Sequence, residues 1–78
     1  MTTVRLFAAA AEAAGVDEIA AQAQTLAELE SELDARFGAE FAGIRRQCSV
    51  MIDGVRTQGD AAISAGATVD LLPPFAGG

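Results

Sequence analysis

The sequence predicts an α+β domain in which one long helix packs on one face of a sheet. Two observations carry that expectation. Several short stretches read as strands, but only Leu26 to Phe37 carries an apolar stripe at helical spacing. The order is strand, strand, long helix, strand, short strand, strand, and a single helix cannot cover both faces of a sheet. Seventy-eight residues make one domain, 1–78, which ends in a flexible tail at 73–78. A chain of this size buries only about 60–65% of its unfolded surface, so its stability is modest.

Val4 to Ala8 opens the chain as a strand. Val4, Leu6 and Ala8 share one face, while Arg5 and Phe7 take the other. Ala8 to Ala14 favours a short helix on alanine's propensity, stopped by Gly15. Val16 to Gln22 is a weaker strand, with Val16 and Ile19 its large apolar residues. Thr25-Leu26-Ala27-Glu28 has capping-box spacing, with Thr25 as N-cap and Glu28 at the third helical position. Leu26, Leu29, Leu33 and Phe37 follow at spacings of three, four and four, and Gly38 stands where a left-handed cap belongs. Ala39 to Gln47 reads as a loop or a short second helix. Cys48 to Asp53 is a strand with Cys48, Val50 and Ile52 on one face. Asp53-Gly54 is a hairpin turn signal before the short strand Val55 to Thr57. Gln58 to Ala67 is a loop. Val69 to Leu72 is the last strand, Val69 and Leu71 on one face, Asp70 and Leu72 on the other.

Composition excludes several kinds of function. Formal net charge is −6, with five arginines and neither lysine nor histidine. That balance argues against nucleic acid and anionic membrane, and permits a basic protein partner. No stretch is long and apolar enough to span a bilayer. The single Cys48 cannot form an internal disulfide, which fits a reducing, cytoplasmic setting. Without histidine, and with no acidic cluster at ligand spacing, no metal site is expected. Ser-His-Asp sets, Cys-His sets and Gly-rich phosphate loops are all missing. Strand parity places Cys48 in the core, where a thiol is inert. Glu28, Glu30, Glu32 and Asp34 read as a solvated helix face, and Arg45-Arg46 as surface charge rather than an anion site.

What remains is the end of the chain, Leu71-Leu72-Pro73-Pro74-Phe75-Ala76-Gly77-Gly78. The prolines favour an extended path, and two glycines leave the Gly78 carboxylate without steric flanks. The residues after Leu72 span roughly 20 Å when extended. Such an arm can pass down a narrow channel and present its own carboxylate as reactant. A carboxylate is a poor electrophile, so a partner must first activate it, most simply by adenylation with ATP.

Val4-Arg5-Leu6-Phe7-Ala8, Asp53-Gly54 after a strand, and the ending from Leu71 to Gly78 together resemble the MoaD/ThiS sulfur-carrier family. The ending is most similar to that of molybdopterin synthase small subunits. The resemblance implies a ubiquitin-like β-grasp fold with a mixed sheet. It implies adenylation of Gly78 by an E1-like enzyme that uses ATP, with no cofactor bound permanently, and conversion of Gly78 to a thiocarboxylate. It also implies a large synthase subunit as partner, in an assembly of two large and two small subunits. There the sulfur passes to a pterin precursor of molybdenum cofactor, and catalysis belongs to the large subunit. Gly77, Ala76 and Phe75 would occupy the channel, and Phe75 and Phe7 would touch the partner. Asp53 departs from the Asn common before the hairpin glycine.

Strand parity adds an expectation of its own. With the helix on the Val4/Val50/Val69 side, Arg5, Phe7, Met51, Asp70 and Leu72 point the other way. Given a β-grasp strand order, Phe7, Met51 and Leu72 form an apolar docking patch beside the tail, and Arg5 and Asp70 a cross-strand pair. The plainer alternative is a surface with scattered apolar residues. Other functions compatible with the sequence are sulfur carriage for thiamine or cysteine synthesis, protein modification through the C-terminus, and a plain interaction domain.

Overall fold

The computed structural model describes residues 1–74. Its elements are β1 (Thr2–Leu6), α1 (Ala9–Ala14), β2 (Glu18–Ala21), α2 (Leu26–Phe37), α3 (Ala39–Arg45), β3 (Ser49–Ile52), β4 (Val55–Thr57) and β5 (Thr68–Leu72). The strands form one mixed sheet in the order β2-β1-β5-β3-β4. The central pair β1–β5 is parallel and the other pairs are antiparallel. The helices pack on one face and leave the other open, which is the predicted α+β arrangement.

The core follows from the alternation. Val4 and Leu6 of β1, Val50 of β3, and Val69 and Leu71 of β5 are buried against Leu26, Leu29 and Leu33 of α2 and Phe41 of α3. Each fully buried leucine contributes roughly 1.5–3 kcal/mol by leaving water. Phe37 and Phe41 meet with ring centroids 5.1 Å apart, so α3 closes over the end of the α2 stripe. Ala39 to Gln47 is thus resolved as a helix over most of its length.

Asp53 and Gly54 form the two-residue turn, at φ 50° and 81°, between the paired residues Ile52 and Val55. Positive φ at both turn positions is what a hairpin matched to strand twist requires, and Asp tolerates it as Asn does. Asp53 also ties this hairpin to β5. Its N–H donates to the Thr68 carbonyl at 2.8 Å, and its Oδ1 accepts from the Thr68 N–H at 2.9 Å.

Several local expectations are corrected. Ala8 is not on the Val4/Leu6 face: β1 ends at Leu6, and Ala8 is exposed with φ 50°. The chain must turn there to bring α1 onto the helical side, where Ala10 is fully buried. The second strand begins at Glu18 rather than Val16, which is exposed. Cys48 precedes β3 instead of belonging to it, and the end of α3 covers it only in part. Gly38 ends α2 at φ 96° and ψ −175°, outside the left-handed helical region, because it also starts α3. Arg45 is not simple surface charge: it is a clamp between helices. Its Nε and Nη2 donate to Asp34 Oδ1 and Oδ2 at 2.7 and 2.9 Å, and Nη1 lies 3.2 Å from Glu30 Oε2. Asp34 chiefly, and Glu30 beside it, hold the Arg45 pKa above its ordinary value despite burial.

The start of α2 shows why the 58–67 loop is ordered. Thr25 Oγ1 accepts from the Glu28 N–H at 3.2 Å, the expected cap. Two further N–H groups at this helix end are satisfied from the loop. Leu26 donates to the Ala61 carbonyl and Ala27 to Asp60 Oδ1, both at 2.8 Å. Glu28 Oε2 reaches the Gln24 N–H at 3.5 Å rather than the Thr25 N–H a capping box would use. Ile63 and Ala67, which the sequence left in an unstructured loop, are buried in the core.

Candidate functional site

The site is built on β5 and the open face around it. β5 lies in the middle of the sheet, held on both sides, so the chain is carried out from its most constrained strand. The ladder ends at Leu72, which pairs with Ser49. Proline cannot donate to a ladder, so Pro73 and Pro74 stop it there. Pro73 is still buried and Pro74 is exposed. Phe75, Ala76, Gly77 and Gly78, expected to be the channel segment and the reacting carboxylate, lie outside the described residues.

The open face carries the residues that parity placed there. Arg5 pairs in register with Asp70, and Asp70 with Met51. Arg5 grips Asp70 with both arms of a fork: Nε to Oδ1 at 2.6 Å and Nη2 to Oδ2 at 2.7 Å. Bidentate geometry of this kind is the stronger form of an ion pair. The Asp70 hydrogen bonds raise the Arg5 pKa above its ordinary value, and Glu18 adds to this from the other side. The Arg5 guanidinium carbon also lies 5.9 Å from the centroid of the Phe7 ring. Phe7, Met51 and Leu72 are all half-buried. The face is therefore an ion pair flanked by apolar side chains, whereas parity anticipated an apolar patch with a pair beside it. The sequence shows both halves but not the contact of Arg5 with Phe7, because Phe7 lies beyond the end of β1.

A concave region of about 530 Å³ lies between the start of α2, the start of β3 and the 58–60 turn, and Cys48 lines it. The Cys48 thiol donates to the Ile44 carbonyl at 3.4 Å. Burial pushes its pKa up and nearby Arg45 opposes the shift, so the thiol is held protonated rather than prepared as a nucleophile. Among the described residues no cluster of His, Cys, Asp or Glu could hold a metal ion. No described helix is long and apolar enough to cross a membrane.

The ThiS family model matches residues 4–78, nearly the whole chain. The chain belongs to the ThiS family, and with its mixed five-stranded sheet it has the ubiquitin-like β-grasp fold. No curated protein matches the sequence. Among solved structures, small archaeal modifier protein 1 from Methanosarcina acetivorans superposes with a TM-score of 0.82 at 21% identity, over 99% of this chain and 95% of that one. A putative molybdopterin converting factor subunit 1 from Pyrococcus furiosus gives 0.76 at 23% identity, over 95% and 97%. A complex of subunits 1 and 2 of the molybdopterin-converting factor from Helicobacter pylori gives 0.74 at 24% identity, over 99% and 97%. At these identities the likeness is one of fold.

Proposed function

We propose that the chain is a sulfur carrier of molybdopterin synthesis, acting as the small subunit of molybdopterin synthase with Gly78 as the working group. One observation carries this reading: the family match runs to Gly78 and includes the Pro-Pro and Gly-Gly steps of the ending. In the reaction, a Gly78 carboxylate oxygen attacks the α-phosphorus of ATP and expels pyrophosphate. Hydrosulfide released by a separate donor then attacks the acyl carbon and expels AMP, leaving the thiocarboxylate. Both steps run in the active site of an E1-like enzyme, which explains why this chain needs no catalytic side chains. The loaded end then enters a large synthase subunit. The Helicobacter pylori relative, solved with its subunit 2, supports that pairing. Carriage toward cysteine or thiamine synthesis uses the same loading chemistry, and the Pro-Pro step argues against the thiamine branch. The modifier relatives support attachment of Gly78 to other proteins as a second reading.

Gly77 tests this function. A β-branched side chain there crowds the reacting carboxylate, and a small misplacement at an activated centre can cost about a hundredfold in rate. Position 77 follows the last strand by five residues, so folding should change by less than ~0.5 kcal/mol. Gly77→Val should therefore melt like the wild type yet form little thiocarboxylate with the adenylating enzyme, ATP and a sulfur source. Wild-type yield from this variant would contradict the reading.

A further inference from the structure

The chain contains no asparagine, and of its five aspartates only Asp53 stands before a glycine. An aspartate in that position can isomerise with water as the only reagent. The Gly54 backbone nitrogen attacks Asp53 Cγ and an N–Cγ bond forms. The carboxyl hydroxyl leaves with the nitrogen's proton as water, which closes a five-membered succinimide ring. Water then adds back at one of the two ring carbonyls. Addition at Cγ restores aspartate. Addition at the backbone carbonyl breaks the original peptide bond and leaves isoaspartate, whose main chain runs through Cβ and Cγ. Mass is unchanged, and nothing is oxidised or reduced. A side chain on the second residue would shield the attacking nitrogen. Gly54 has none, and the space a Cβ would occupy is open. Both residues are exposed, so water reaches them.

Geometry, rather than burial, holds the site shut. Asp53 Oδ1 accepts from the Thr68 N–H at 2.9 Å, and the Asp53 N–H donates to the Thr68 carbonyl at 2.8 Å. Cγ is thereby held against the start of β5. The turn itself is pinned at φ 50° and 81° between the paired residues Ile52 and Val55. Ring closure must swing Cγ back onto the Gly54 nitrogen, which breaks the carboxylate bond to Thr68 and turns the peptide unit of the hairpin. We propose that Asp53 is a covalent modification site, an aspartate–isoaspartate isomerisation centre that its double hydrogen bond to Thr68 keeps closed in the native fold. This chemistry is independent of what the chain carries. Isoaspartate lengthens the main chain by one carbon between Ile52 and Gly54. The N–H and carboxylate of residue 53 then no longer match the two Thr68 groups, and the hairpin loses its tie to β5. A chain once isomerised is therefore a less stable chain.

Ageing the full chain at neutral pH, folded in buffer and unfolded in urea, tests this. Isoaspartate is counted by methyl transfer from S-adenosylmethionine with an isoaspartate-specific carboxyl methyltransferase, and placed by fragment mass spectrometry. In urea it should accumulate at residue 53 ahead of the other four aspartates. In the folded chain it should form at least about tenfold more slowly, because opening breaks two hydrogen bonds. The slowdown should match the protection of the Thr68 amide in hydrogen exchange, which reads the same opening. Asp53→Asn keeps the carbonyl acceptor and does not ionise, so charge cannot alter its rate. It loses ammonia rather than water, and its folded-to-unfolded ratio should equal that of the wild type. Asp53→Glu cannot close a five-membered ring and should yield no isoaspartate at 53. Folded chain purified after isomerisation should melt below the fresh chain. Equal rates in the folded and unfolded wild type would overturn the proposal. So would a slowdown far from the Thr68 protection in either direction, because the lock would then lie elsewhere.

Discussion

Cys48 shows how the meaning of a reactive group depends on what surrounds it. Its thiol is half-buried between the end of α3 and β3, bonded to the Ile44 carbonyl, and its pKa is raised by burial. A raised folded-state pKa means the native protein holds this proton longer than the unfolded chain does. The associated stability is complete below the ordinary thiol pKa of about 8.5 and is lost as pH rises through the raised value. The sequence makes this readable. There is no Lys, Tyr or His, so Cys48 is the only side chain whose ordinary pKa falls between about 5 and 12. Urea midpoints, followed by circular dichroism because Trp and Tyr are absent, should fall from pH 8 to 10.5 in the wild type. They should fall less in Cys48→Ala, and equal slopes would contradict the burial account.

At the scale of elements, α2 is held by contacts from outside itself. Asp60 Oδ1 accepts from both the Ala27 and Ala61 N–H groups, so one carboxylate caps the helix and shapes the loop that reaches it. Asp60→Ala should cost about 1 kcal/mol, in the range for loss of a helix cap, read as a lower Tm. A melting curve identical to the wild type would show that water replaces the cap at no cost. The helix itself was legible: Thr25 capped it as its spacing predicted, and Leu26, Leu29 and Leu33 were buried as their stripe required. The Asp60 cap was not, because it acts across 33 residues and no local pattern marks it. Arg45 was misjudged for the same reason. Its partners Asp34 and Glu30 lie on a different helix, and only the α2–α3 packing brings them together. Strand parity assigned the two faces of β1 correctly as far as Leu6 and failed at Ala8, where a positive φ ends the alternation.

For the whole molecule, the division of labour is plain. The helical side holds the core, and the central strand β5 leads straight to the ending that the family match includes. The open face beside that strand carries charge and apolar surface together. The central claim is that Gly78 carries sulfur, and intact-mass measurement of the chain isolated from its native cells tests it most directly. The account predicts a species heavier by the difference between a sulfur and an oxygen atom, with the change confined to the C-terminal fragment. A chain found only as the free carboxylate, or only as protein-sized adducts, under conditions where molybdopterin is being made would contradict it.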